Sequence, residues 1–247
     1  MVKRSLLGFV NAGRARWSPI ACAASLAFLL APDAGCSSAL ASDAAVLLAR
    51  PSIDVPVSNE LQKAVVAGGC FWGIQGVFQH VRGVTSAVSG YAGGAAATAH
   101  YESIGSGTTG HAEAVEVTFD PKVISYGEIL QIHFSIGHDP TQLNRQGPDI
   151  GPQYRSAIFP VNADQKRVAE AYIVQLDQSR AFGKPVVTRV EPWKGFYPAE
   201  EYHQDYLARH PKQLYIVIND LPKIEHLKTL FPNVYQPEPV LVAPGRS

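Results

Sequence analysis

Residues 64–73 read AVVAGGCFWG, and this stretch leaves the chain little choice of local structure. The apolar run 64–67 stops at Gly68 and Gly69, Cys70 follows, and Phe71, Ile74, Phe78 and Val81 then recur with helical spacing. The spacing predicts a strand, a tight turn and a helix over 70–81, with the Cys70 sulfur at the helix N-terminus. Unpaired backbone N–H groups and the helix dipole favour an anion there, so the pattern predicts a lowered thiol pKa. The two glycines supply the backbone freedom of the turn and leave room for a substrate to reach the sulfur. On its own the stretch allows two readings of Cys70, a reactive thiol or a small buried hydrophobe.

The first 41 residues are of a different kind. Lys3, Arg4, Arg14 and Arg16 precede an apolar run over 19–32, and Ala39-Leu40-Ala41 offers a small-residue cleavage site. This is the layout of an export signal, with an apolar run too short for a comfortable membrane span. It predicts a mature chain that starts near Ser42, in the periplasm or outside the cell. Lipid attachment at Cys36 is a rival reading, disfavoured by Asp33 where such sites carry an apolar residue. Residues 42–61, with two prolines and no sustained period, read as a linker or N-terminal arm, and 62–247 as a single domain. Cleavage removes four basic residues and Asp33 from a chain with 21 of each sign, leaving a net charge of −3. That balance gives no basis for a nucleic-acid or anionic-membrane partner. Cleavage also removes Cys22 and Cys36, so the mature chain keeps Cys70 alone and has no intramolecular disulfide framework.

Along the domain, 62–67 and 84–91 read as strands, and 95–110 as a small, polar, glycine-rich loop. Residues 112–119 alternate most clearly, with Val115, Val117 and Phe119 on one face and Glu116 and Thr118 on the other. Parity places Glu113 on the apolar face, where loss of water would raise its pKa; if the strand ends sooner, Glu113 is solvated. Ser125 and Glu128 make a capping box, and Ile129, Ile132, His133 and Ile136 continue as a helical stripe in which His133 reads as a core residue. A long polar loop over 138–153 follows, then a strand over 154–161. Asn162 caps a helix carrying Val168, Ala171, Tyr172 and Leu176, a strand spans 185–190, a short helix spans 199–209, and the end is proline-rich. The order strand, helix, strand, strand, helix, strand is that of an α+β, two-layer sandwich. Its core is a ferredoxin-like split βαβ unit, a mixed sheet with helices on one side and long loops.

Several chemistries compete for these residues. A cysteine hydrolase needs a histidine base beside Cys70, for which His111, His138, His203 and His210 are candidates. A metal site could be sought at His111 with Glu113 or at His203 with Asp205, but neither pair has a recognised ligand spacing, and no metal or bound cofactor is expected. No phosphate loop, dinucleotide fingerprint or nucleophile elbow is present. A non-enzymatic alternative is an exported binding module in which Cys70 is inert.

Five stretches carry a closer likeness: GGCFWG at 68–73, GYAGG at 90–94, TGHAEAV at 109–115, HDPTQLNRQGPDIGPQYRSAIF at 138–159 and EYHQDYL at 201–207. In this order they make the chain, over 62–209, similar to the peptide methionine sulfoxide reductases of type A. The resemblance implies a thiol-dependent oxidoreductase that repairs methionine S-sulfoxide, in oxidised proteins or as the free amino acid. Cys70 matches the family's nucleophile and Glu113 the acid that protonates the sulfoxide oxygen. Phe71 and Trp72 match the wall that receives the S-methyl group, and Tyr101, Asp149 and Tyr154 the groups that hold the oxygen. The products are methionine and a Cys70 sulfenic acid.

The chain also departs from the family. Many relatives carry further cysteines near the C-terminus that attack the sulfenic acid, and here none follows Cys70. The resemblance therefore implies a one-cysteine form, expected as a monomer, whose sulfenic acid is reduced by an external thiol, either a thioredoxin-like protein or a small molecule. The segment AAATAH before Tyr101 and Pro152 both differ from the commoner family residues.

Overall fold

A computed structural model describes residues 45–242, so the expected leader and its cleavage site lie outside the described residues. The strand β1 (Gln62–Ala67) turns at Gly68 and Gly69 into the helix α1 (Phe71–Gln79), and the strand β2 (Val84–Ala92) follows. A short helix α2 (Tyr101–Ile104) precedes the long strand β3 (Ala112–Phe119), which leads to α3 (Tyr126–Ile132) and a π-helical turn, His133–Gly137. A small hairpin, β4 (Arg145–Gln146) and β5 (Asp149–Ile150), a 3-10 turn at Pro152–Tyr154 and the strand β6 (Ala157–Ile158) come next. The chain then runs through α4 (Ala163–Ser179), β7 (Arg189–Val190), β8 (Phe196–Pro198) and α5 (Tyr206–Arg209). It closes with a second π-helical turn, Ile216–Asp220, and α6 (Leu221–Leu230).

The main sheet has the order β7-β6-β1-β3-β2-β8 and is antiparallel except where β7 joins β6. The inner four strands, with α1 and α3 between them in sequence, form the split βαβ core expected from the pattern, and the class is α+β. The β1–β3 register sets Ala64 opposite Val117 and Val66 opposite Val115. Those residues, with Phe119, face a core closed by Ile74, Val77 and Phe78 of α1, Ile129 of α3 and Tyr172 of α4. The opposite face is lined by Val65, Ala67, Ala92, Ala112, Ala114 and Ala157 around Phe159. Burial on both faces explains why β1 shows no alternation.

The arm before β1 is laid along α3 and α4. Leu48 is buried, Gln131 Nε2 donates to Leu48 O at 2.6 Å, and Tyr172 Oη donates to Ala49 O at 2.8 Å. Asp54 accepts from Gly127 N–H at 2.9 Å, reinforcing the Ser125–Glu128 capping box at the start of α3.

Several elements differ from expectation. The loop over 95–110 contains α2, whose four residues are too few to show a period. The strands expected over 154–161 and 185–190 shrink to β6 and β7, because a 3-10 turn occupies Pro152–Tyr154 and only two residues of each strand pair. The helix expected over 199–209 is broken by Asp205, which sits at φ 56° between a 3-10 turn at Glu201–His203 and α5. The proline-rich end holds α6, since Pro222 lies in the first turn, where a missing N–H costs nothing.

Phe78 is fully buried in the larger core, whereas Asn162 acts only through its Oδ1, which accepts from Gln165 N–H at 2.9 Å. Phe78→Ala is expected to lower stability by about 3–5 kcal/mol, and Asn162→Ala by about 1 kcal/mol. Urea unfolding of both variants checks this ranking.

Candidate active site

The turn between β1 and α1 depends on Gly69, which lies at φ +95° and where a Cβ would meet the Gln146 side chain at 2.6 Å. Its consequence is that Cys70, partly buried and extended (φ −59°, ψ 128°), occupies the N-cap of α1. The first helical N–H, that of Phe71, donates to Glu113 Oε2 at 3.1 Å. Glu113 is 3% exposed, on the helix-facing side of β3 together with Val115 and Val117, so its side chain ends under the first turn of α1.

Burial pushes the Glu113 carboxyl up to about 8; the Phe71 N–H opposes this and Asp149 adds to it. Cys70 departs from the sequence expectation. Burial pushes its thiol well above the usual range, Glu113 and then Asp220 add to the rise, and only the Trp72 N–H among the main influences pulls it down. The helix N-terminus is present, but burial of the sulfur, with the neighbouring carboxyls adding to it, outweighs it. At neutral pH the site therefore rests with a thiol and a carboxylic acid, both neutral.

Tyr101, on α2, is 38% exposed, and its N–H donates to Glu200 Oε1 at 3.0 Å. Tyr154, in the 3-10 turn, is half-buried. Burial raises both phenols above their usual range, and Glu113, Asp149 and Cys70 add to each, so both face the thiol and the acid as neutral donors. Asp149, on β5, accepts a hydrogen bond from Tyr215 Oη. Phe71 is 1% exposed and packs on Tyr91 and His203 at centroid distances of 5.9 and 5.1 Å, which makes it a floor. Trp72 is half-buried and stacks on Tyr206 at 3.8 Å, with Tyr215 edge-on at 5.9 Å. The residues singled out in the sequence thus converge on one end of the sheet.

The histidines do not supply a base for Cys70. His111 accepts from Gly94 N–H through Nδ1 and contacts Ala95 O through Nε2. His138 is bound to His133 O and Ser156 Oγ, His203 Nδ1 accepts from Trp72 Nε1–H at 3.2 Å, and His210 packs on Tyr206. Among the described residues no group of three or more His, Cys, Asp or Glu could hold a metal ion.

Other contributors escape pattern reading because their partners are distant in sequence. Tyr215 reaches Asp149 across 66 residues, and Glu200 ties Tyr91 Oη, at 2.8 Å, to the Tyr101 backbone. Arg155 grips Glu191 with two donors, at 2.7 and 2.9 Å, and the carbonyls of Gly110, His111 and Pro152, fixing the turn that carries Tyr154 beside the start of β3. The only signal in the sequence is an arginine next to a singled-out tyrosine.

Comparison with known proteins bears on the family and the fold. The family model for peptide methionine sulfoxide reductase matches residues 62–233. Peptide methionine sulfoxide reductase MsrA 2 of Mesorhizobium japonicum is 59% identical over 181 residues, covering 73% of this chain and 93% of the relative. MsrA 2 of Synechocystis is 51% identical over 182 residues, covering 72% and 85%. Among solved structures, reduced Mxr1 from Saccharomyces cerevisiae matches with a TM-score of 0.56 and 34% identity, over 64% of this chain and 91% of that one. Methionine sulfoxide reductase A of Corynebacterium diphtheriae matches with a TM-score of 0.57 and 30% identity, over 63% and 78%. With its fold, its motif order and its relatives in agreement, the chain belongs to the peptide methionine sulfoxide reductase family.

Proposed function

We infer that this chain is an exported peptide-methionine (S)-S-oxide reductase in which Cys70 is the nucleophile and Glu113 the proton donor. The observation that carries the reading is the neutral, buried Glu113 carboxyl held by the N–H of Phe71, the residue that follows Cys70. A sulfoxide oxygen is a poor leaving group until it is protonated. Glu113 delivers that proton while the Cys70 sulfur attacks the sulfoxide sulfur, and the thiol's own proton returns to Glu113. The oxygen ends on Cys70 as a sulfenic acid and methionine leaves, so one oxygen is transferred and no proton is lost.

Tyr101 and Tyr154 are neutral donors that follow the charge developing on that oxygen, and Asp149, fixed by Tyr215, helps to hold it. The S-methyl group rests between the Phe71 floor and the half-buried face of Trp72, where an uncharged group is favoured and water is excluded. With no cysteine after Cys70, an external thiol reduces the sulfenic acid: it displaces water to form a mixed disulfide, which a second thiol resolves. A thioredoxin-like protein or a small thiol fits this role. The substrates are oxidised proteins or free methionine sulfoxide, and the mature chain works as a monomer in the periplasm or outside the cell, a repair enzyme under oxidative stress. No observation favours an inert binding module.

In a single turnover without reductant, the mature protein is expected to release about one methionine per chain from methionine S-sulfoxide and to carry a trappable sulfenic acid on Cys70. Cys70→Ser is expected to release none, and substantial turnover by that variant would end the proposal.

Glu113 donates from its acid form, which dominates below its pKa of about 8. The chemical step is therefore expected to slow as pH rises through that value. Glu113→Gln should be slower by about a hundredfold and lose this alkaline decline, with the fold intact by circular dichroism. An alkaline limb that persists in Glu113→Gln assigns the proton to another group.

A further inference from the structure

Gly73, the last residue of GGCFWG, has no part in the chemistry above, yet a side chain is excluded there. A Cβ on Gly73 would lie 2.1 Å from Asp220 Oδ1 and 2.9 Å from Lys223 Nζ. Asp220 ends the second π-helical turn and Lys223 lies in the first turn of α6, with Nζ 3.3 Å from Asp220 Oδ1. The Asp220 side chain is fully buried, and its Oδ2 has no hydrogen-bond partner among the described residues. Gly73 stands three residues after Cys70, so it flanks the sulfur on the first turn of α1. The C-terminal segment thus seats a carboxyl group at the helix end that carries the thiol; burial pushes its pKa up, and the adjacent Lys223 ammonium opposes that rise in favour of the charged form.

A buried ion pair is a weak source of stability, and apolar residues of similar size often serve as well. A half-satisfied carboxylate pressed against this turn has an electrostatic consequence instead. It occupies the favourable field of the helix N-terminus and disfavours a second anion beside it. We propose that the Asp220–Lys223 pair, seated on Gly73, is a positioning element that holds the Cys70 sulfur as its thiol in the substrate-free enzyme. Asp220 does so through its charge, without touching the substrate.

The other groups facing the sulfur are the carboxyls of Glu113 from β3 and Asp149 from β5, and the phenols of Tyr101, Tyr154 and Tyr215. Near pH 7 Glu113 is neutral and the phenols carry no charge, and of the two remaining carboxyls Asp220 raises the thiol more than Asp149 does; Glu113 adds its own charge once it ionises above about 8.

The benefit lies in resistance to hydrogen peroxide. A thiolate attacks one peroxide oxygen, an S–O bond forms as the O–O bond breaks, and hydroxide leaves to become water; sulfur is oxidised and peroxide is reduced. The thiol does this far more slowly. A chain with no second cysteine after Cys70 cannot trap the resulting sulfenic acid within itself before it is oxidised further.

Asp220→Asn keeps the side-chain shape and removes the charge. The readout is the pH dependence of Cys70 alkylation by iodoacetamide in the full chain, followed by mass. The midpoint is expected to fall by at least about one pH unit, making alkylation at neutral pH about tenfold faster, and peroxide should oxidise Cys70 correspondingly sooner. An unchanged midpoint in folded Asp220→Asn overturns the proposal. If that variant does not fold, the Asp220 carboxyl carbon resonance is followed against pH in the native chain and in Cys70→Ser. Charge coupling is reciprocal, so the native curve should carry a step where Cys70 ionises that Cys70→Ser lacks; identical curves overturn the proposal. The inference rests on Cys70 as the reacting sulfur, but an active Cys70→Ser would sink that assignment alone and leave the alkylation shift intact.

Discussion

The site is built on a carboxyl group that the fold refuses to hydrate. Glu113 sits on the core face of β3 beneath the first turn of α1, with one backbone N–H as its recorded hydrogen-bond partner. A carboxylate there would bear a large desolvation penalty, and the neutral acid bears far less. Everything that positions Glu113 also positions Cys70. The β1–β3 register sets where the strand ends, and the Gly68-Gly69 turn sets where the helix begins. The acid and the thiol are therefore fixed relative to each other by the most rigid part of the molecule, its central strand pair and its first helix.

Around that pair the chain is tied down by buried polar contacts between residues far apart in sequence. Gln75 of α1 donates to Gln204 Oε1 at 2.8 Å and accepts from the Asp205 N–H at 2.9 Å, while Gln204 Nε2 donates to Ser89 O at 2.9 Å. Gln79, one turn on, donates to Asp205 Oδ1 at 2.7 Å. These bonds explain why Asp205 is held at φ 56°, a conformation that few residues other than glycine adopt, and why His203 comes to rest against Phe71, Trp72 and Tyr101. Networks of this kind are satisfied only in one arrangement, which gives the aromatic side of the site a single geometry.

Elements whose signal is local were legible in the chain: the apolar run and glycines before Cys70, the alternation of β3 and the capping box of α3 coincide with what is observed. Glu113 is instructive, because parity alone put it on the core face, yet whether it was buried depended on α1 lying over the strand end, which no local pattern encodes. The Cys70 thiol departs from the pattern for a related reason. A helix N-terminus is visible in sequence, whereas the burial that raises the thiol most is not, and Glu113, Asp220 and Asp149 reach the sulfur from 43, 150 and 79 positions away. Two-residue strands such as β6 and β7 have no period to detect, and Pro222 reads as a breaker unless it is known to open a helix.

The brevity of the outer strands bears on how the protein behaves when crowded. The six-stranded sheet is bounded by β7, two residues long, and β8, three residues long. Each edge offers only a few unpaired N–H and C=O groups, and Pro198 at the end of β8 has no N–H to offer. Of the long strands, β3 is paired on both sides, by β1 and β2, whereas β8 covers only Gly90–Ala92 of β2 and β6 only Val66 and Ala67 of β1. The place where a neighbouring chain could add a strand is therefore the first part of β1 or of β2, where the short edge strands stop.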